Sequence, residues 1–232
     1  MEIILGVHVI DLGMVQAYLY READRLTLID TGLTTSASAI VDAIEATGHQ
    51  AGDLRQIVVT HYHADHMGSL AELVERSGAQ VLAHVLDAPV VRGERPGDEP
   101  KLSEIEQRFH DEIAKGVSPA RPCAVDRELA DGDEIDLDGG ARTVHAPGHT
   151  PGSIAVYVPK RRALFVGDAA ARMPDGQLIV GVFNVDPEQT KESFRKLAEL
   201  EFDAAFFGHG APMEKDSSLT FRRVAERLGQ AP

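Results

Sequence analysis

The sequence predicts a soluble α/β domain, and three observations carry that reading. Short β-branched runs alternate with amphipathic helical stripes, 232 residues suffice to bury one large core, and histidines gather where an apolar run ends. Hydrophobic residues at 43% and charged residues at 26%, with no apolar run near 18 residues, exclude a transmembrane helix as the expectation. Met1-Glu2-Ile3-Ile4 lacks the basic start of a signal peptide, so a cytoplasmic protein is expected. One cysteine, Cys123, allows no internal disulfide and leaves any metal to histidine and carboxylate. A formal net charge of -14 disfavours nucleic acid, whose binding needs Lys and Arg to neutralise phosphates. The partners expected are a small-molecule substrate and, as the candidate assembly, a second copy in a homodimer, with neither nucleic acid nor membrane.

In chain order, strands are expected at Ile3–Val7, Met14–Tyr20 and Arg25–Ile29, the last closing on the turn Asp30-Thr31-Gly32. Ala37, Ile40, Val41 and Ile44 form a helical stripe behind Thr34-Thr35-Ser36, and Ile57–Val59 is a short buried strand. A second stripe, Met67, Leu70, Leu73 and Val74, precedes the strand Gln80–Ala83. Residues 87–126 are rich in Pro, Gly and charge around a helix carrying Leu102, Ile105, Phe109 and Ile113, and read as an insertion that acts as lid or specificity loop, or as a surface excursion. Strands return at Ile135–Leu137, Ala141–His145, Ser153–Val158 and Ala163–Val166. Asp186-Pro187-Glu188-Gln189 starts a helix with Phe194, Leu197 and Leu200, and a strand at Ala204–Phe207 and a helix with Phe221, Val224 and Leu228 follow. No linker divides the chain, so residues 1–232 are expected to form one domain.

The chemistry concentrates in Thr60-His61-Tyr62-His63-Ala64-Asp65-His66, on the loop leaving a strand, where α/β folds favour ligand sites. Three imidazoles and a carboxylate in six positions point to a divalent metal: zinc first, with manganese, iron or cobalt as alternatives. His149, Asp168 and His209 share one context, each just beyond a strand and beside glycine. A single ion takes about three protein ligands plus water, so seven candidates imply two ions. His8, His49 and His110 read as surface or core residues, and Tyr62 as packing. His84 and His145 stand near the site as candidates for contact, and the acidic run Asp131 to Asp138 reads as a solvated turn and edge strand.

Together, Asp30, H-x-H-x-D-H, P-G-H-T-P-G-S, G-D-A and G-H-G in this order resemble the metallo-β-lactamase superfamily over nearly the whole chain. The resemblance implies a four-layer αββα sandwich of two mixed β-sheets flanked by helices, with the metals at one edge. Carried over by position, it implies that His61, His63 and His149 hold one ion and that Asp65, His66 and His209 hold the other. Asp168 would bridge the two, and Asp30 would orient a ligand histidine by hydrogen bond. Two cations would activate a shared water as a bridging hydroxide that attacks an ester, lactone, thioester or amide carbonyl, with Asp65 as the catalytic carboxylate that moves the proton.

Neighbouring branches differ in detail. Glyoxalase II adds a C-terminal helical region that binds its glutathione thioester, and little chain follows His209 here. Quorum-quenching lactonases use a tyrosine shortly after the bridging Asp, where this chain reads Ala169-Ala170-Ala171-Arg172. β-Lactamases with the same motif usually lack the bridging Asp, ribonuclease Z-type nucleases sit poorly with the acidic chain, and flavodiiron proteins usually carry glutamate at the position of His63. The alternatives kept are a mononuclear iron persulfide dioxygenase-like oxidoreductase and a β-lactamase-like amide hydrolase.

Overall fold

The computed structural model describes residues 1–22 and 25–228. It divides into two compact units, one formed by Met1–Gly97 with Gln107–Leu129 and the other by Asp98–Glu106 with Ala130–Pro232.

The first unit is built on a seven-stranded mixed sheet: β1 (Glu2–Ile4), β2 (Val7–Asp11), β3 (Gln16–Arg21), β4 (Leu26–Ile29), β5 (Leu54–Val58), β6 (Gln80–His84) and β7 (Arg127–Leu129), in that spatial order. Strands β1 to β4 pair antiparallel, whereas β4 to β7 run parallel. Helices α1 (Ala37–Glu45) and α2 (Leu70–Ser77) make two of the parallel crossovers. Their apolar stripes, Ile40 and Ile44 on one and Leu70 and Leu73 on the other, bury against Leu26, Leu28, Ile57 and Val81 of the sheet. A short helix α3 (Ala88–Val91) follows β6, and helix α4 (Glu104–Ala114) has no buried residue, with Ile105, Phe109 and Ile113 exposed.

The second unit holds a five-stranded mixed sheet in the order β14-β11-β10-β9-β8, from β8 (Glu134–Ile135), β9 (Ala141–His145), β10 (Ile154–Val158), β11 (Ala163–Phe165) and β14 (Ala204–Phe206). Only β11 and β14 are parallel. A hairpin of β12 (Ala170–Arg172) and β13 (Leu178–Val180) accompanies it. Helices α5 (Pro187–Ala198) and α6 (Ser217–Leu228) pack together through stacked Phe194 and Phe221, ring centroids 4.9 Å apart, and Phe202 meets Phe221 edge-on at 5.2 Å. Asp186 caps α5 as expected, accepting a hydrogen bond from the Gln189 N–H.

Several local expectations are corrected. The single strand Ile3–Val7 is a hairpin: Leu5-Gly6 turns with Gly6 at φ +83°, and the Gly6 N–H donates to the Glu2 carboxylate at 2.7 Å. The strand at Ile135–Leu137 stops at Ile135, because the Leu137 N–H turns back to the Ile135 carbonyl and Asp138 takes φ +46°. Asp138 is not solvated either. It is buried and accepts from Arg161 and Lys160 at 2.7 and 3.2 Å. Met67 precedes α2 rather than belonging to it.

Candidate metal centre

Parallel strand pairing delivers the first group of residues. Ile29 of β4 and Val58 of β5 lie in register, and the Asp30 N–H donates to the Val58 carbonyl, so Asp30 and Thr60 leave the sheet side by side. Asp30 adopts φ +60°, which its short polar side chain tolerates better than most. Its buried carboxylate accepts from the Thr60 N–H at 2.8 Å, from the Thr60 hydroxyl at 2.8 Å and from His66 Nδ1–H at 2.9 Å. Both the His66 and Met67 N–H groups donate to the His63 carbonyl, closing a turn that brings His63 and His66 back to one place. Thr31 locks it by donating its N–H and hydroxyl to the His66 carbonyl.

Those bonds also fix tautomers. A carboxylate only accepts, so His66 carries its proton on Nδ1 and presents the Nε2 lone pair. The Thr60 hydroxyl spends its one proton on Asp30, so at 3.1 Å it accepts from His61 Nδ1–H, and His61 likewise presents Nε2. That nitrogen lies 3.1 Å from His63 Nδ1. Two imidazole nitrogens bound to a tetrahedral zinc at about 2.0–2.1 Å stand roughly 3.3 Å apart, so the donor pair fits such an ion. Asp65, half-buried, has an oxygen 3.8 Å from His66 Nε2. Tyr62 packs in the core of this unit with its ring edge-on to His63.

The second unit uses the same device. Phe165 of β11 and Phe206 of β14 are in parallel register, and the Gly208 N–H donates to the Gly167 carbonyl, so Asp168 and His209 emerge as neighbours. One carboxylate oxygen of Asp168, Oδ2, lies 3.2 Å from His209 Nε2 and 3.6 Å from His149 Nε2. His149 reaches that point from the loop after β9, and its Nδ1–H donates to the Val182 carbonyl at 3.0 Å, so Nε2 carries the lone pair here too. His145, near the site by sequence, braces this loop, with Nε2 2.9 Å from the Pro151 carbonyl oxygen.

Four residues of this architecture escaped the sequence reading. Thr60 relays Asp30 to His61; Asn184 faces His149; Gly181 packs on the main chain of Asp168; and Arg172 donates its N–H to the His209 carbonyl and its guanidinium to the Pro212 carbonyl. A Cβ built at Gly181 would fall inside the van der Waals radius of the Asp168 carbonyl oxygen, so only glycine fits there. Gly-Val-Phe-Asn carries no periodic signal; what marks it is its spatial partner.

The family model of the metallo-beta-lactamase superfamily matches residues 10–209. The chain is 30% identical to the probable metallo-hydrolase YflN of Bacillus subtilis over 96% of its own length and 91% of that protein. It is 29% identical to a hydroxyacylglutathione hydrolase of Cereibacter sphaeroides over 81% of its length, spanning 63% of that relative. Among solved structures, the class B3 di-zinc metallo-beta-lactamase LRA-12 from an Alaskan soil metagenome shares the fold, with a TM-score of 0.73 at 20% identity over 98% of this chain and 90% of that one. Each unit supplies a mixed sheet with its helices, the components that the expected αββα sandwich requires. On motifs, family model and fold together, the chain belongs to the metallo-beta-lactamase superfamily.

Proposed function

We propose that the protein is a binuclear hydrolase that cleaves an ester, lactone, thioester or amide of a small molecule. That it is a metal-dependent hydrolase follows from its family and relatives; the second ion and the substrate class are the proposal. The observation that carries it is Asp168 Oδ2, aimed at the Nε2 atoms of both His149 and His209. A carboxylate oxygen facing the lone pair of His149 is repelled unless a metal ion or a proton lies between them, and in a family of metal-dependent hydrolases the metal ion is the reading we adopt. One oxygen serving two imidazoles from separate loops is what a bridging carboxylate needs. Within each unit the donors that this reading needs lie together: His61 Nε2 and His63 Nδ1 are 3.1 Å apart in the first, and Asp168 faces His149 and His209 in the second. A single-iron dioxygenase reading leaves the Asp65, His66 and His209 set without a task.

Two divalent ions, zinc first, supply a water of near-neutral pKa and Lewis-acid stabilisation of a carbonyl oxygen. The chain's own residues do the rest. Asp30 and Thr60 keep His61 and His66 in their Nε2-presenting tautomers, and the Val182 carbonyl does so for His149. Asp65, less buried than His61 or His66, is the carboxylate assigned to take the proton of the attacking water and pass it to the leaving oxygen, sulfur or nitrogen as the carbonyl–leaving-group bond breaks. The hydroxyacylglutathione hydrolase relatives act, by name, on an acylated glutathione, and acylation at its thiol would make a thioester, which supports keeping thioesters in the substrate set.

A panel of lactones, thioesters, aryl esters, β-lactams and phosphodiesters, assayed with zinc-, manganese- and iron-loaded protein, tests the reading. Turnover of a carbonyl substrate that disappears in Asp168→Ala is expected. Oxygen uptake on glutathione persulfide with one bound iron, and no carbonyl cleavage, would replace it.

A further inference from the structure

We propose that Asn184 is a positioning residue for His149 and that it ties this ligand to the part of the 87–126 insertion that leads into α4. The inference rests on the binuclear reading above. The side chain is buried, at 7% exposure, and its amide orientation is set by its partners: Nδ2 donates to the Gly181 carbonyl at 2.7 Å, which turns Oδ1 toward His149 Nδ1 at 3.3 Å. The His149 Nδ1–H is therefore shared between Oδ1 and the Val182 carbonyl at 3.0 Å. Two acceptors on that side hold the ring in plane with one proton on Nδ1, and they raise the basicity of Nε2.

The backbone around Asn184 connects three parts of the second unit. The Gly181 N–H donates to the Ala169 carbonyl, next to Asp168. The N–H groups of Val185 and Asp186 donate to the carbonyls of His149 and Gly148 at 3.3 and 2.8 Å. The carbonyl of Asn184 itself accepts from the Lys101 N–H at 2.8 Å, on the segment that leads into α4. One residue thus bonds to the imidazole by its side chain and to the segment before α4 by its main chain. A displacement of Lys101 is transmitted to the acceptor of His149.

The test measures zinc dissociation constants by chelator competition, with imidazole nitrogen chemical shifts of the metal-free protein as a second readout, for wild type, Asn184→Ala and Asn184→Asp. In Asn184→Ala one of the two ions should bind about 10- to 100-fold more weakly while the other is unchanged, and the His149 signals should move toward a tautomer mixture. Asn184→Asp, which keeps an acceptor for His149 but loses the donor to Gly181, should recover most of that affinity. A purely structural role predicts the opposite, with both variants impaired alike, and that result overturns the proposal. So does wild-type affinity for both ions in Asn184→Ala. If Asn184→Ala does not fold, the affinity of Asn184→Asp decides alone. Wild-type protein that binds only one ion overturns the binuclear reading instead, and is distinguished from the other outcomes by that count.

Discussion

At Asp30 one buried carboxylate accepts three hydrogen bonds, and two of its partners control histidines: His66 directly, and His61 through the Thr60 hydroxyl. Removing the carboxylate strands three buried donors, so Asp30→Ala should lose about 2–4 kcal/mol of unfolding free energy in urea titrations, with weaker metal retention. An unchanged midpoint would contradict the hydrogen-bond assignment. Asp30 was readable as an acidic residue in a turn, whereas Thr60 was not: a threonine beside a histidine becomes a relay only once parallel strands set it next to the right carboxylate. The same holds for Gly181, whose neighbour Asp168 is remote in sequence. Gly181→Ala forces the Asp168 main chain aside and should cost about 1–3 kcal/mol, read as a lowered thermal midpoint, together with loss of bound metal.

Element by element, the strands that end at the site are the ones whose apolar runs announced them. Parallel pairs β4–β5 and β11–β14 each release two site residues together, which explains why Asp30 pairs with Thr60 and Asp168 with His209. Strands without such runs went unread: Ala170–Arg172 and Arg127–Leu129 have no alternation, and both are stabilised by neighbours. The acidic run departs from its expected solvated character at Asp138, which is buried with two cations, whereas Asp131 is exposed in a turn as expected and also braces the strand that leads to His149. Burial pushes the Asp131 carboxyl up, but the His145 N–H at 2.8 Å and the Lys196 ammonium at 3.0 Å outweigh it and hold it below the usual range. A lowered folded-state pKa means that this brace stabilises above the ordinary Asp value and is lost as pH falls through the folded one. Asp131→Asn should therefore flatten the loss of stability as pH falls through and below the ordinary Asp range, seen as thermal midpoints that converge with wild type at the acid end. Parallel curves would show that the carboxylate does not titrate with folding.

For the whole molecule, the order of motifs was legible because each donor sits in a short stretch whose residue types are chemically committed. The surroundings were not, because hydrogen-bond partners such as Asn184 and Arg172 depend on which loops meet. Among the described residues no helix is long and apolar enough to cross a membrane. That residues 1–232 work as one domain is a proposal that the two-ion ligand assignment implies, since each compact unit holds only some of the assigned ligands. On this account the metal content is a property of the intact chain. Elemental analysis of protein purified without chelator and reconstituted with zinc should find two equivalents of divalent transition metal per chain. Less than one equivalent, with no gain on reconstitution, would contradict it.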